Sequence, residues 1–515
     1  MPPTVVTRDP MKRAQIAQQR HSLLWRIHLW AAIIASPFLI GAILTGLLFV
    51  FTPQIESFLY HDIDRVTPAG EPHSLDVLIS SAKKSAPDGW RLHSVIPAYT
   101  LNDSVKVAFV PPTANRVQAV RAGLQQDHSE HNSNPEKPRD GGQGGDARVV
   151  SADSTDHSAH GAHQAPPAAA QQTRNSGFLR GSFGLPKNSL VLYVDPYRNA
   201  VLGSLPEAQR FNVWARRLHS TYLTEGFRWA IELAASWTLV MLVTGVFLWW
   251  PSAHNPLTSG RSLKGRGQWQ HWHAWTGVVF SVISASIVVT GLTWSRNAGD
   301  QVRLVRDALG QQSPRIPASF KSTVPSNLSS SVRLGETMIS SGMLSWQGAW
   351  EAVKANSPDV AVQIMAPVGR EGFWRANHVD RGDPTKRFDL LLDAYNGKSL
   401  FYSGWNDQPL FGKATAIGIP FHRGEFGVWN QALLAMFGFG LLFSFISGWI
   451  MFFTRRRKGL LGLPALLPGA WRSAPLLAYP VAAFMLFMMP LLALSSFAVF
   501  AVEGLLLLKS KRALQ

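Results

Sequence analysis

No cysteine occurs among the 515 residues. That excludes a disulfide scaffold, thiolate-ligated iron–sulfur clusters, thiolate heme and the CxxCH motif of covalent heme attachment. It does not fix the redox compartment, because an extracytoplasmic domain can simply lack disulfides. Charge is scarce as well: Asp, Glu, Lys and Arg together make up 16% of the chain, against roughly 25% in a soluble protein. Acidic residues are the scarcer kind, 32 against 49 basic ones, giving a net charge of +17. Such a surplus can mark a nucleic-acid binder. Here the basic runs sit beside apolar stretches and not on a separate soluble face, which argues for a membrane and against nucleic acid.

What the chain has is apolar length. Five stretches stand out, Leu29–Phe51, Trp229–Trp250, Ala274–Trp294, Gln431–Phe453 and Leu476–Leu508. The first four are near the ~20 residues that cross a bilayer. The first lacks a small-residue cleavage site and reads as a retained span, not a signal peptide. Lys12, Arg13, Arg20 and Arg26 precede it; Arg261, Lys264 and Arg266 lie between spans two and three; Arg455, Arg456, Arg457 and Lys458 follow span four. With alternating spans all three groups share one side, which the positive-inside rule makes cytoplasmic. Trp249, Trp250 and Trp294 sit at span ends as interface aromatics.

The expected organisation follows: cytoplasmic segment 1–27, span 28–52, an outside domain 53–228, span 229–250, cytoplasmic loop 251–272, span 273–294, a second outside domain 295–428, span 429–453, cytoplasmic loop 454–474 and a fifth span 475–508. The fifth stretch contains Pro490 and ends in Lys509, Lys511 and Arg512. One crossing leaves that basic tail outside, and two short crossings return it. A single long, kinked helix is the expectation.

The four better spans carry an internal repeat. His28 is followed 18 residues later by Gly46, and His273 by Gly291 at the same spacing. His219 is followed 26 residues later by Gly245, and His422 by Gly448. Each Gly follows a small hydroxyl residue: Thr45, Thr290, Thr244 and Ser447. Two recurring spacings suggest two duplicated units of span, outside domain and span. The outside domains match at their ends, Leu190–Gly203 and Arg387–Leu400, each reading as strand, Asp-led turn and strand, a β-hairpin. Asp195, Pro196, Asp393 and Gly397 read there as turn formers. Residues 120–177, rich in Gly, Ser, Asp, Gln and His, have too few apolar residues for a core and read as an inserted linker. Its His128, His131, His157, His160 and His163 leave weak metal binding open.

Four of the 16 histidines hold special places. His28 and His273 stand at the cytoplasmic ends of spans one and three; His219 and His422 stand just before spans two and four on the outer side. Neutral imidazole is a good axial ligand for heme iron when Cys is absent. The span directions pair His28 with His273 and His219 with His422, so two six-coordinate b hemes are expected, one near each face. Gly46, Gly245, Gly291 and Gly448 are candidate heme-packing positions, since glycine lets a ring approach closely. His21, His61 and His271 remain alternative or supporting positions, with His273 ranked above His271 because it repeats the spacing of His28.

Together these motifs resemble the PepSY-associated transmembrane helix family over roughly 20–120 and 178–460. The carrying stretches are Arg26-Ile-His28-Leu-Trp with Leu44-Thr-Gly46, Leu218-His219-Ser-Thr-Tyr-Leu with Thr244-Gly245-Val-Phe-Leu-Trp-Trp250-Pro, His273-Ala-Trp-Thr-Gly277 with Thr290-Gly291-Leu-Thr-Trp, and Phe421-His422-Arg-Gly424-Glu-Phe-Gly427 with Ser447-Gly448. The resemblance implies a helical membrane bundle with two extracytoplasmic PepSY-like α+β modules. For one branch it implies inner-membrane diheme reductases acting on ferric siderophores in the periplasm. His28, His219, His273 and His422 match the family's recurrent histidines. Ala394 stands where the family usually has Pro.

The expected function is therefore a b-type oxidoreductase with two hemes, passing electrons to a periplasmic acceptor such as a ferric siderophore. No GxGxxG follows a strand in a βαβ setting, so the donor is expected to be a membrane quinol or another protein. A cofactor-free PepSY accessory or sensor protein that binds peptides or proteins is the alternative from another class. A transporter is disfavoured, because none of the four spans has a central charged residue.

Overall fold

A computed structural model describes residues 10–112, 185–186, 188–249, 264–314, 316–317, 319–326, 342–379, 382–455, 463 and 466–512. The inserted linker 120–177 and its histidines lie outside the described residues. In chain order the helices are α1 (Pro10–Val50), α2 (Thr52–Leu59), α3 (His61–Asp64), α4 (Leu75–Ser85), α5 (Phe211–Thr221), α6 (Arg228–Trp249), α7 (Arg266–Leu292), α8 (Asn297–Ala308), α9 (Trp346–Asn356), α10 (Leu410–Arg423), α11 (Val428–Thr454), α12 (Ala478–Met488) and α13 (Pro490–Arg512). The strands are β1 (Arg91–Ile96), β2 (Val105–Val110), β3 (Leu190–Val194), β4 (Val201–Pro206), β5 (Val362–Met365), β6 (Phe373–His378), β7 (Asp389–Asp393) and β8 (Ser399–Ser403).

Four helices, α1, α6, α7 and α11, are long and apolar enough to cross a membrane. Between 17% and 33% of the residues in their apolar windows are fully buried within the chain, and the others keep some surface exposed. The chain is a multi-span helical membrane protein. Contacts run α1–α6–α7–α11–α1, a ring in which α1 faces α7 across the bundle. Glycine makes two of these approaches close. A Cβ on Gly438 would meet Leu47 of α1 at 2.5 Å, and one on Gly440 would meet Phe280 of α7 at 2.6 Å. Helix α1 is longer than expected. It begins at Pro10, so much of the segment anticipated as a cytoplasmic tail is helix, and it continues through Pro37. Helix α7 likewise starts at Arg266, inside the anticipated loop.

Both hairpins form. β3 pairs antiparallel with β4, and β7 with β8. Asp195 Oδ1 accepts the amides of Tyr197 and Arg198, and Asp393 Oδ1 those of Tyr395 and Asn396, so the aspartates build the turns. The two domains expected from sequence are not separate sheets. Their strands join in one eight-stranded sheet of order β4-β3-β2-β1-β5-β6-β7-β8. The seam is β1 against β5, Val95 opposite Ile364, with Gln363 Nε2 donating to Ser94 Oγ at 2.9 Å. Pairing there leaves neither inner edge unpaired. Helices α4 and α9 cover one face around Leu78, Phe109, Trp346, Trp374 and Leu392. They cap each other: Asp76 accepts the amides of Trp346 and Gln347, and Gln347 Oε1 accepts that of Leu75.

A buried ion cluster ties sheet to bundle. Arg210, just before α5, reaches Glu56 of α2 at 3.3 Å, Asp64 of α3 at 3.6 Å and the Tyr193 hydroxyl of β3 at 2.5 Å. Burial raises the Tyr193 phenol above its ordinary range, so its oxygen meets Arg210 as a neutral acceptor.

The fifth apolar stretch is not one kinked helix. It breaks at Met489–Pro490 into α12 and α13, bent by 117°. Proline at 490 has no amide to continue the helix, which allows the reversal. The return leg brings Glu503 back to the start of the first span. Arg26 holds its carboxylate with two bonds of 2.7 Å, and Trp30 Nε1 donates to it at 2.5 Å. The far end of α12–α13 packs near α8, and Trp237 of α6 donates to Ser495 at 2.9 Å.

Candidate functional site

The bundle holds two histidine pairs. His28 of α1 and His273 of α7 face each other with ring centroids 6.5 Å apart, in the layer far from the sheet. His219 of α5 and His422 of α10 do the same at 6.5 Å, in the layer near the sheet. Along α1 and α7 the layers are separated by 18 residues, from His28 to Gly46 and from His273 to Gly291, or about 27 Å of helix.

The second layer rests on short helices, not on the spans. α5 ends at Tyr222, whose φ of 47° stops the helix, and a brief 3-10 turn precedes α6. α10 ends at Gly424, φ 74°, and α11 begins after Gly427, φ 84°. The chain therefore turns between the near-sheet histidine and its span, which accounts for the 26-residue spacing that a straight helix would overshoot. Tyr222 also locks α5 on α1: its hydroxyl donates to Phe38 O at 2.6 Å, and its ring fills the space where a Cβ on Gly41 would meet it at 2.8 Å. Sequence reasoning missed Tyr222, whose only signal was its place three residues after His219.

Each histidine sits on a hydroxyl–glycine pair from another helix. His28 Nδ1 lies 3.0 Å from Thr244 Oγ1, and His219 Nδ1 lies 3.0 Å from Thr45 Oγ1. His273 Nδ1 lies 3.0 Å from both Ser447 Oγ and Ser444 O. His422 Nδ1 lies 3.2 Å from Thr290 Oγ1 and 2.9 Å from Ile287 O. The neighbouring glycine meets the ring edge. A Cβ on Gly245, Gly46, Gly448 or Gly291 would come 3.3, 3.2, 3.4 or 3.0 Å from Cε1 of His28, His219, His273 or His422 respectively. The glycines thus adjoin the imidazoles themselves.

The hydroxyl protons are already directed elsewhere. Thr45 donates to Gly41 O, Thr244 to Val240 O, Thr290 to Ser286 O and Ser447 to Ser444 O. The hydroxyls therefore meet the rings as acceptors, and Nδ1 carries the proton. Nε2 keeps its lone pair and makes no hydrogen bond among the described residues. A neutral imidazole with a bare Nε2 is a metal-ligating tautomer.

The other histidines stand apart from these pairs. His21 and His61 are exposed. His271 leans on Trp272 and Trp275, and its buried Nδ1 has no hydrogen-bond partner. Among the described residues no group of three or more His, Cys, Asp or Glu is placed to hold a metal ion. Two histidines alone suit a metal whose remaining ligands come from a macrocycle. Two imidazoles on opposite sides of one iron, each with nitrogen about 2 Å away, have centroids roughly 6–6.5 Å apart. The donor set and both spacings fit a bis-histidine heme.

Fold and site define a helical membrane protein with an extramembrane antiparallel sheet and two layers of paired histidines in its bundle. The family model of the PepSY-associated TM region matches residues 25–456, and the chain belongs to that family. Comparison with curated proteins gives no match.

Proposed function

We propose that this protein is a transmembrane b-type oxidoreductase built from two duplicated units. His28 and His273 would ligate one heme, and His219 and His422 a second. The observation that carries the reading is the pair of 6.5 Å imidazole spacings, each with Nδ1 bound and Nε2 bare. Heme supplies reversible one-electron chemistry when bound. The chain's own part is to place the ligands in two layers, exclude water with the surrounding helices and fix each ring by its Nδ1–H. Held by two imidazoles, such a heme would disfavour O₂ binding and would suit electron passage.

Arg20, Arg26, Lys264, Arg266 and Arg455 all belong to the bundle end far from the sheet, which supports a cytoplasmic assignment for that end and a periplasmic one for the sheet. Electrons would enter from a quinol or protein donor at the His28 layer. They would leave at the His219 layer to a periplasmic acceptor, for which ferric iron in a siderophore is our choice. Reduction to the ferrous ion weakens its hold on hard oxygen donors, so no acid–base constellation is required. The described sheet is wholly antiparallel and has no βαβ nucleotide fold, which supports a donor other than a bound nicotinamide.

The test is reconstitution in vesicles with a reduced quinol, a ferric siderophore and a ferrous-specific chelator on the sheet side. Wild-type protein should form the ferrous complex, and His219→Ala should abolish it. Equal rates for wild type, His219→Ala and empty vesicles would rule out this function.

A further inference from the structure

The four hydroxyl–glycine pairs are arranged crosswise. α1 carries His28 of the far layer, yet its Thr45–Gly46 receives His219 of the near layer. α7 carries His273 of the far layer, yet its Thr290–Gly291 receives His422 of the near layer. The pairs that receive the far-layer rings lie on α6 and α11, which carry neither ligand. Each layer thus has its ligands on two helices and its supports on two others.

Resting on the heme reading above, we propose that Thr45–Gly46, Thr244–Gly245, Thr290–Gly291 and Ser447–Gly448 are positioning residues for the axial histidines. The pairs on α1 and α7 govern only the near-sheet heme, although these helices carry the far heme's ligands. The hydroxyl acts through its lone pair: with its own proton donated to the helix, it can only accept from Nδ1–H. That bond, together with the Ser444 and Ile287 carbonyls at His273 and His422, holds the tautomer, aims Nε2 and makes the imidazole a stronger donor, which favours ferric iron and lowers the reduction potential. The glycine acts through the missing methyl, letting the ring edge reach the helix backbone. The two supports of each layer also set its ring angle. His28 and His273 stand at 88°, whereas His219 and His422 stand at 44°. Nearly perpendicular axial imidazoles give low-spin ferric heme a strongly anisotropic EPR signal, and a smaller angle gives a more rhombic one, so the two layers are distinguishable.

The experiment is EPR and potentiometry on Thr45→Val, Thr244→Val, Thr290→Val and Ser447→Ala, with Thr45→Ser as the conservative control. Valine keeps the shape of threonine and removes the hydroxyl acceptor, while the carbonyls of Ile287 and Ser444 still accept from His422 and His273. Thr45→Val and Thr290→Val should shift the more rhombic signal, raise its heme's potential and speed loss of that heme about 10- to 100-fold. They should leave the anisotropic signal in place. Thr244→Val and Ser447→Ala should do the reverse, and Thr45→Ser should match wild type. If wild type carries both hemes but these variants leave signals and potentials unmoved, or Thr45→Val alters the far layer instead, the positioning role is overturned and the heme reading stands. If wild type binds no heme, both fall.

Discussion

A single methyl group tests the ring supports from the other side. Gly291→Ala and Gly46→Ala place a Cβ 3.0 and 3.2 Å from Cε1 of His422 and His219, tighter than the 3.3 and 3.4 Å at Gly245 and Gly448. The near-sheet heme should therefore be lost first, with Gly291→Ala the most damaging and Gly448→Ala the mildest, as followed by heme retention during gel filtration. Arg210 is the second side chain with a large expected effect. Its removal leaves Glu56 without its cation and Asp64 with Lys106 alone, at 3.4 Å, and breaking such a partly buried cluster costs about 3–5 kcal/mol. Arg210→Ala should lower the thermal midpoint in detergent well below that of Arg210→Lys. The four histidines were legible from spacing, because helical periodicity fixes axial position. What spacing could not show is which partner each Thr–Gly dipeptide meets, because that depends on the crossing of helices distant in sequence. The glycines were expected to leave room for a porphyrin, and they meet imidazole edges.

Among the elements, the two hairpins were readable from alternating apolar residues around Asp195 and Asp393, since a turn is a local decision. The seam between β1 and β5 was not, because it joins segments about 270 residues apart and leaves no local signature. The reversal at Pro490 was half-readable. Proline marks a break, but its sense is decided by the distant pairing of Glu503 with Arg26 and Trp30. That reversal predicts the side of the C-terminal basic residues. Since the native chain has no cysteine, introduced ones report without background. Met11→Cys and Leu508→Cys, both at exposed positions, should react with an impermeant maleimide from the same side of the membrane, and Arg198→Cys, on the exposed β3–β4 turn, from the opposite side. Labelling of position 508 together with position 198 would contradict the returning leg.

The molecule as a whole couples a single extramembrane sheet to a four-helix ring through short helices that bear one histidine layer. α5 and α10 are thus at once the connectors to the sheet and the carriers of His219 and His422, so whatever docks on the sheet side lies nearest that layer. The far layer is braced by the α12–α13 return, whose Glu503 bonds Arg26 and Trp30 on either side of His28. The proposed function rests on heme ligation by the paired imidazoles, and the most direct measurement is the heme content of the purified chain. A pyridine hemochrome assay set against protein concentration, in heme-replete preparations, should approach two b hemes per chain. His28→Ala and His273→Ala should each remove the same one, and His219→Ala and His422→Ala the other. A wild-type value that stays at one or below would contradict the two-layer account, and a value of zero would leave the bundle as an anchor without a cofactor.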